Sequence, residues 1–132
     1  MANRIFLMFS VVVWIPYGLY CLYDPAFLQE AAGVAATNET GTTELRAMYG
    51  GLQIAIGLLA VLALRDAARV RSTLWCLAIL IAGIGIARVL GALVAGDASG
   101  YTLGGASFEI VAAGWATWLL ARDRDGAPRP AG

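Results

Sequence analysis

Four apolar runs decide what this chain can become. Residues 5–22, 44–64, 73–95 and 101–121 are each long and apolar enough to cross a bilayer, for which about 18–20 such residues suffice. Backbone N–H and C=O groups in hydrocarbon have no water to bond, so each run is expected as a helix that satisfies its own backbone. Composition points the same way: 60% of the residues are hydrophobic, 14% are charged, and the mean hydropathy is +0.73. Soluble domains carry roughly a quarter charged residues, so lipid is the expected solvent here. The 132 residues read as one domain, residues 1–121, followed by a flexible cytoplasmic tail, residues 122–132, that holds Pro128 and Pro130.

The arginines set an orientation. Every cation of the chain is Arg. Arg4, Arg65, Arg69, Arg71, Arg122, Arg124 and Arg129 all fall on one side of a four-span arrangement. The opposite connections hold only the acids Asp24, Glu30, Glu39 and Asp97. Basic connections stay on the cytoplasmic side, which places both termini there. Short links then imply an all-α, integral membrane, four-helix up-down antiparallel bundle.

Local signals fill in the elements. A signal peptide is the rival for residues 5–22, but such peptides carry shorter apolar cores of about 7–15 residues. Pro16, Trp14, Tyr17 and Tyr20 fit a retained helix, with a kink at Pro16 and interfacial anchors at Tyr20 and Tyr23. Residues 26–32 are expected as a short helix on the membrane surface, with Phe27 and Leu28 dipping in. Residues 38–41 are expected as a polar loop, and its glycosylation-like Asn38-Glu39-Thr40 is read as chance. Thr42 or Thr43 is the expected cap of the second span, putting Glu44 in a first turn whose dipole favours an acid. Ser72 is the expected cap of the third.

Beyond Glu44 at the start of the second span, three charges lie inside the spans: Arg46, Arg88 and Glu109. A charge near the bilayer centre costs about 2.5–3.5 kcal/mol, less toward the interface. Counting 1.5 Å per residue from the span ends puts Arg88 and Glu109 about 10–12 Å below the outer surface, as neighbours in an antiparallel hairpin, and Arg46 about 5 Å deep. Helical spacing sets Arg46, Tyr49, Gly50 and Gln53 on one face. The expected cluster is therefore Arg46, Tyr49, Gln53, Arg88 and Glu109, with Glu44 at its rim and Tyr17 approaching from the first span. Two arginines against one deep acid leave positive charge that a lipid head group or another small anionic or polar ligand would balance; Glu44 as a second partner would weaken that reasoning. The plainer alternative is that Arg88 and Glu109 pair to lock the fold while Arg46 snorkels to the head groups.

The run Thr43-Glu44-Leu45-Arg46-Ala47-x-Tyr49-Gly50-Gly51 resembles the hallmark of a family of small bacterial four-helix membrane proteins of unknown function. Gly85-x-x-Arg88 and Glu109 fall where that family's Arg in helix three and Glu in helix four are expected. Trp14-x-x-Tyr17-Gly18 followed by Asp24-Pro25 is similar to its first helix. The resemblance spans about residues 5–121 and implies the four-helix fold and a multi-pass setting in a bacterial cytoplasmic membrane. It implies no activity.

The residue inventory leans away from catalysis. There is no His, no nucleophile elbow and no phosphate loop. Cys21 and Cys76 lack metal-ligand spacing and fall near opposite faces of the membrane, so both are expected free, with no metal and no cofactor. A net charge of zero gives no field to gather nucleic acid. Two function classes remain beside the bilayer itself as a partner. One is a binding or carrier-like bundle, dimeric if it transports, with its cluster open to the outer leaflet. The other is an accessory subunit of a larger membrane complex, or a homodimer, in which the charges are purely structural. The first predicts a cavity beside the cluster. The second predicts a filled core and outward stripes of small residues.

Overall fold

The computed structural model describes residues 1–125, and all regular structure among them is helical. Among the described residues, four helical stretches are long and apolar enough to cross a membrane: Ala2–Tyr23, Glu39–Arg65, Ala67–Ala95 and Gly100–Arg122. The chain forms two compact units, one of residues 3–67 and one starting at Ala68.

In the first unit, α1 (Ala2–Tyr23) continues through Pro16, whose side is exposed. Its buried residues Leu7, Ser10, Trp14, Gly18 and Cys21 recur at three- and four-residue steps, the period of one helix face. The second spanning helix is composite: α3 (Glu39–Leu45), a π-helical turn (Arg46–Gly51), and α4 (Leu52–Arg65). Three glycines bring it against α1. A Cβ on Gly18 would stand 2.7 Å from the Gly50 carbonyl oxygen, one on Gly50 2.9 Å from the Leu22 Cβ, and one on Gly57 2.4 Å from the Ile15 side chain. Partners fall from 22 to 15 on α1 as they rise from 50 to 57, so the two helices run antiparallel.

Between them, α2 (Phe27–Ala32) buries Leu28 completely within the protein and stacks Phe27 edge-on to Tyr20, with ring centroids 4.9 Å apart. The expected short helix is present, but its Leu28 packs on protein. The helix ends at Gly33, whose φ of +68° suits a residue without Cβ.

The start of the second span differs from expectation. Residues 39–41, expected as loop, are already helical, and the cap is Asn38: its Oδ1 accepts from the Gly41 N–H at 2.8 Å. The hydroxyls of Thr42 and Thr43 instead donate back to the carbonyls of Asn38 and Glu39. Glu39 therefore takes the first-turn acidic position expected for Glu44. A cap needs a side-chain acceptor three residues before a free N–H, and Asn38 supplies it one turn upstream of the apolar run.

A 3₁₀ turn (Ala67–Arg69) at the boundary of the units leads into α5 (Val70–Ala95), followed by α6 (Gly100–Asp125). Ser72 lies inside α5 and its hydroxyl donates to the Arg69 carbonyl, so it does not cap the start. The two helices pack antiparallel. Leu74, Leu77 and Ile81 of α5 are fully buried, and α6 buries Ala112, Ala113, Ala116 and Leu119. Small residues on α6 let the backbones approach closely where no water drives association. Residues 122–125, expected in the tail, continue α6; the remainder of the expected tail lies outside the described residues.

Candidate functional site

The strongest polar feature is an ion pair inside the second unit. Arg88 stands seven residues before the end of α5, Glu109 nine residues into α6. The Arg88 Nε donates to Glu109 Oε1 and Oε2 at 3.1 and 2.9 Å, and Nη2 donates to Oε1 at 2.7 Å. Two nitrogens on two oxygens make this the bidentate form, shorter and stronger than a neutral hydrogen bond. The Glu109 side chain is 5% exposed and that of Arg88 26%.

Two glycines make room for the pair. A Cβ on Gly85 would stand 3.0 Å from the Glu109 Cβ, and one on Gly105 would stand 2.9 Å from the Arg88 Nε. The guanidinium also lies 5.7 Å from the centre of the Tyr101 ring, within cation–π range. Tyr101, Gly105 and Glu109 are spaced by four along α6, so one helix face supplies ring, gap and carboxylate. Sequence reasoning found Gly85, Arg88 and Glu109. It passed over Tyr101 and Gly105, although the four-residue steps from Tyr101 through Gly105 to Glu109 were there to be read.

Arg46 has a different partner. Its Nε donates to the Leu22 carbonyl at 3.2 Å, and the residue is exposed. Leu22 is in the last turn of α1, where carbonyls have no helical N–H to accept from. Two local features remove the ordinary donors there. Pro25 has no N–H, and the Ala26 N–H is taken by Asp24 Oδ1. Arg46 thus closes the end of α1 with a cation, the charge its dipole favours. Glu44 is exposed and makes no ion pair among the described residues.

The Arg46–Gly51 turn is π-helical and takes in Arg46, Tyr49 and the glycine pair. A π-turn holds an extra residue, which rotates the rest of the helix by about 100° relative to a regular one. The single face expected for Arg46, Tyr49, Gly50 and Gln53 is therefore broken. Arg46 is exposed, Tyr49 is half-buried and Gln53 is 9% exposed. The Gln53 Oε1 is buried with no hydrogen-bond partner. Tyr17 is half-buried on α1. Arg88 and Glu109 are brought together in one unit; Glu44, Arg46, Tyr49 and Gln53 share one helix of the other, each in its own surroundings.

Each unit also has a hollow. One of about 150 Å³, in the first unit, is lined by Pro25, Ala26, Gln29, Val34, Thr42 and Leu45, the residue before Arg46, among others. A longer apolar groove of about 340 Å³ follows α5 and α6 from Val89 and Ala106 to Asp97 and Thr102. Its loop end is tied by Asp97, which accepts from the Thr102 hydroxyl, the Ser99 N–H and the Ser99 hydroxyl. These donors, Thr102 first, hold the Asp97 carboxyl below the ordinary carboxylate value.

Four long apolar helices with a buried Arg88–Glu109 pair are the build of a multi-pass membrane protein. The chain matches the domain of unknown function DUF4345 over residues 2–120 and belongs to that family. No curated protein and no solved structure matches it.

Proposed function

We propose that this protein binds an anionic amphiphile, a lipid or lipid-like molecule, at the Arg46 end of its first unit. One observation carries the reading: Arg46 is an exposed cation whose hydrogen bond goes to a neutral carbonyl, with no acid paired to it among the described residues; Thr42 and Leu45, just before it on the same helix, line a hollow of mixed polar and apolar character. With Nε fixed on Leu22, the two terminal nitrogens form a fork suited to a phosphate or carboxylate. Thr42 and Gln29 offer further polar contacts, and Val34 and Leu45 an apolar wall for a chain. Glu44 and Tyr49 lie at the rim. Arg88 and Glu109 neutralise one another and serve as the lock of the second unit.

In this reading the chain is a four-helix, up-down protein of the bacterial cytoplasmic membrane with both termini cytoplasmic, and Arg46 lies at outer head-group level. Native mass spectrometry of protein gently extracted from its own membrane tests it. Wild type should carry a phosphate- or carboxylate-bearing adduct that Arg46→Met loses. Equal adducts on both, or none on either, overturn the reading.

A second reading, an accessory subunit or homodimer, is favoured by one feature of α5. Gly83, Ala87 and Gly91 are exposed and spaced by four, and a Cβ on either glycine would have nothing within 4 Å. Such stripes let a second helix approach closely in lipid. A second chain, or a second copy, retained by wild type and lost in Ala87→Leu would favour it.

A further inference from the structure

The buried amide of Gln53 calls for a partner that the described residues do not provide. Gln53 is 9% exposed, and its Oε1 accepts no hydrogen bond. No side-chain hydrogen bond reaches the amide from any other described residue. Buried polar groups in native proteins are paired with protein, water or ligand, and an orphaned acceptor in hydrocarbon is dearer still.

Its helix packs closely on α1 on either side of it. Gln53 lies three residues after Gly50 and four before Gly57, the two glycines by which this helix meets Leu22 and Ile15 of α1. It therefore flanks the face that packs on α1. The π-turn ends two residues before it, at Gly51. That turn rotates Gln53 away from the exposed face of Arg46, and π-turns recur at functional sites. Had the helix been regular, Gln53 would share the face of Arg46 and reach toward its head-group partners. The widened turn is what commits the amide to the interior.

We propose that Gln53 is a binding position for an O–H donor held inside the membrane-spanning part of the first unit: either an ordered water or the hydroxyl of a lipid-like ligand. The proposal stands independently of the amphiphile at Arg46, because it concerns a neutral donor on a different face. An amide oxygen accepts such a donor without any change of charge, which suits a site in low dielectric.

The chain has two glutamines, Gln29 and Gln53, which makes a direct test practical. Protein labelled with ¹³C at the glutamine side-chain carbonyl is reconstituted in lipid, and the infrared band missing from Gln53→Met is that of Gln53. If Gln53→Met does not fold, labelled minus unlabelled Gln29→Asn isolates the same band. The expected band lies at the lowered frequency of a hydrogen-bonded amide carbonyl. A band at the frequency of a free amide in hydrocarbon overturns the proposal. A lowered band that rises when the lipid film is dried assigns water. A lowered band that persists on drying, with a hydroxyl-bearing adduct in native mass spectrometry that survives Arg46→Met, assigns a ligand.

Discussion

The side chain of Arg88 touches a carboxylate, a ring and the space left by a glycine, and each contact has its own consequence. Removing the guanidinium would leave Glu109 buried and unpaired. Arg88→Met is expected to destabilise the protein by about 3 kcal/mol, the low end for breaking a buried pair because Arg88 keeps some exposure. The double variant Arg88→Met/Glu109→Leu should recover most of that loss, since an apolar pair of similar volume needs no compensation. Unfolding in lipid or mild detergent reads both. Asp97 makes a pH prediction. Its carboxyl is held down by Thr102 and Ser99, so the folded state binds a proton less readily than the unfolded chain. Stabilisation is then full above the ordinary carboxylate value and is lost as the pH falls through the lowered one. Asp97→Asn should cost stability at neutral pH, and the difference from wild type should close in acid. At this scale the pairing of Arg88 with Glu109 could be read from the sequence, because opposite charges at matched depth in a hairpin have few other partners. The bond from Arg46 could not, because its acceptor is a backbone carbonyl freed by Pro25 and Asp24, and backbone vacancies leave no letter in a sequence.

Among the elements, the close crossing of α1 and α4 depends on glycine. A Cβ at Gly18 would meet the backbone at Gly50 and Ile54 within 2.8 Å. Gly18→Ala is expected to cost about 1–3 kcal/mol through overpacking. Gly83→Ala, with nothing within 4 Å, should be neutral or stabilising by up to about 1 kcal/mol, unless a partner helix covers it. Asn38→Ala should cost about 1 kcal/mol through the lost cap, whereas Thr43→Ala should change little. Thermal midpoints of the four variants in one detergent separate these cases. The long helices were legible because hydrophobicity is summed over some twenty residues. The cap was not: Asn38, Thr42 and Thr43 are all good capping residues, and only the folded backbone decides which N–H is free. The π-turn was hidden for a related reason. One extra residue in a turn does not alter the apolar count, and the Gly50-Gly51 pair was its sole outward sign.

Over the whole molecule, charge is distributed so that orientation can be tested without reference to packing. If the arginine asymmetry governs insertion, alkaline phosphatase fused after Gly132 should be inactive while a fluorescent protein there should mature, and a cysteine introduced at Glu39 should react with an impermeant thiol reagent from outside. An active phosphatase fusion would reverse the orientation and place Arg46 at the inner leaflet. The membrane class followed from the sequence at this scale because it depends on composition and spacing alone.

The glycines beside the ion pair bear on ancestry. Gly105 is needed only while Arg88 lies across it, and Gly85 only while Glu109 fills the space before it. The four positions should therefore be inherited as a set. In lineages where the charged pair has been exchanged for aliphatic residues, both glycines are released to drift toward alanine or larger. Where the pair persists, substitutions at 85 and 105 should be purged. A comparison of aligned relatives would find these columns changing together, and would recover the contact from descent alone.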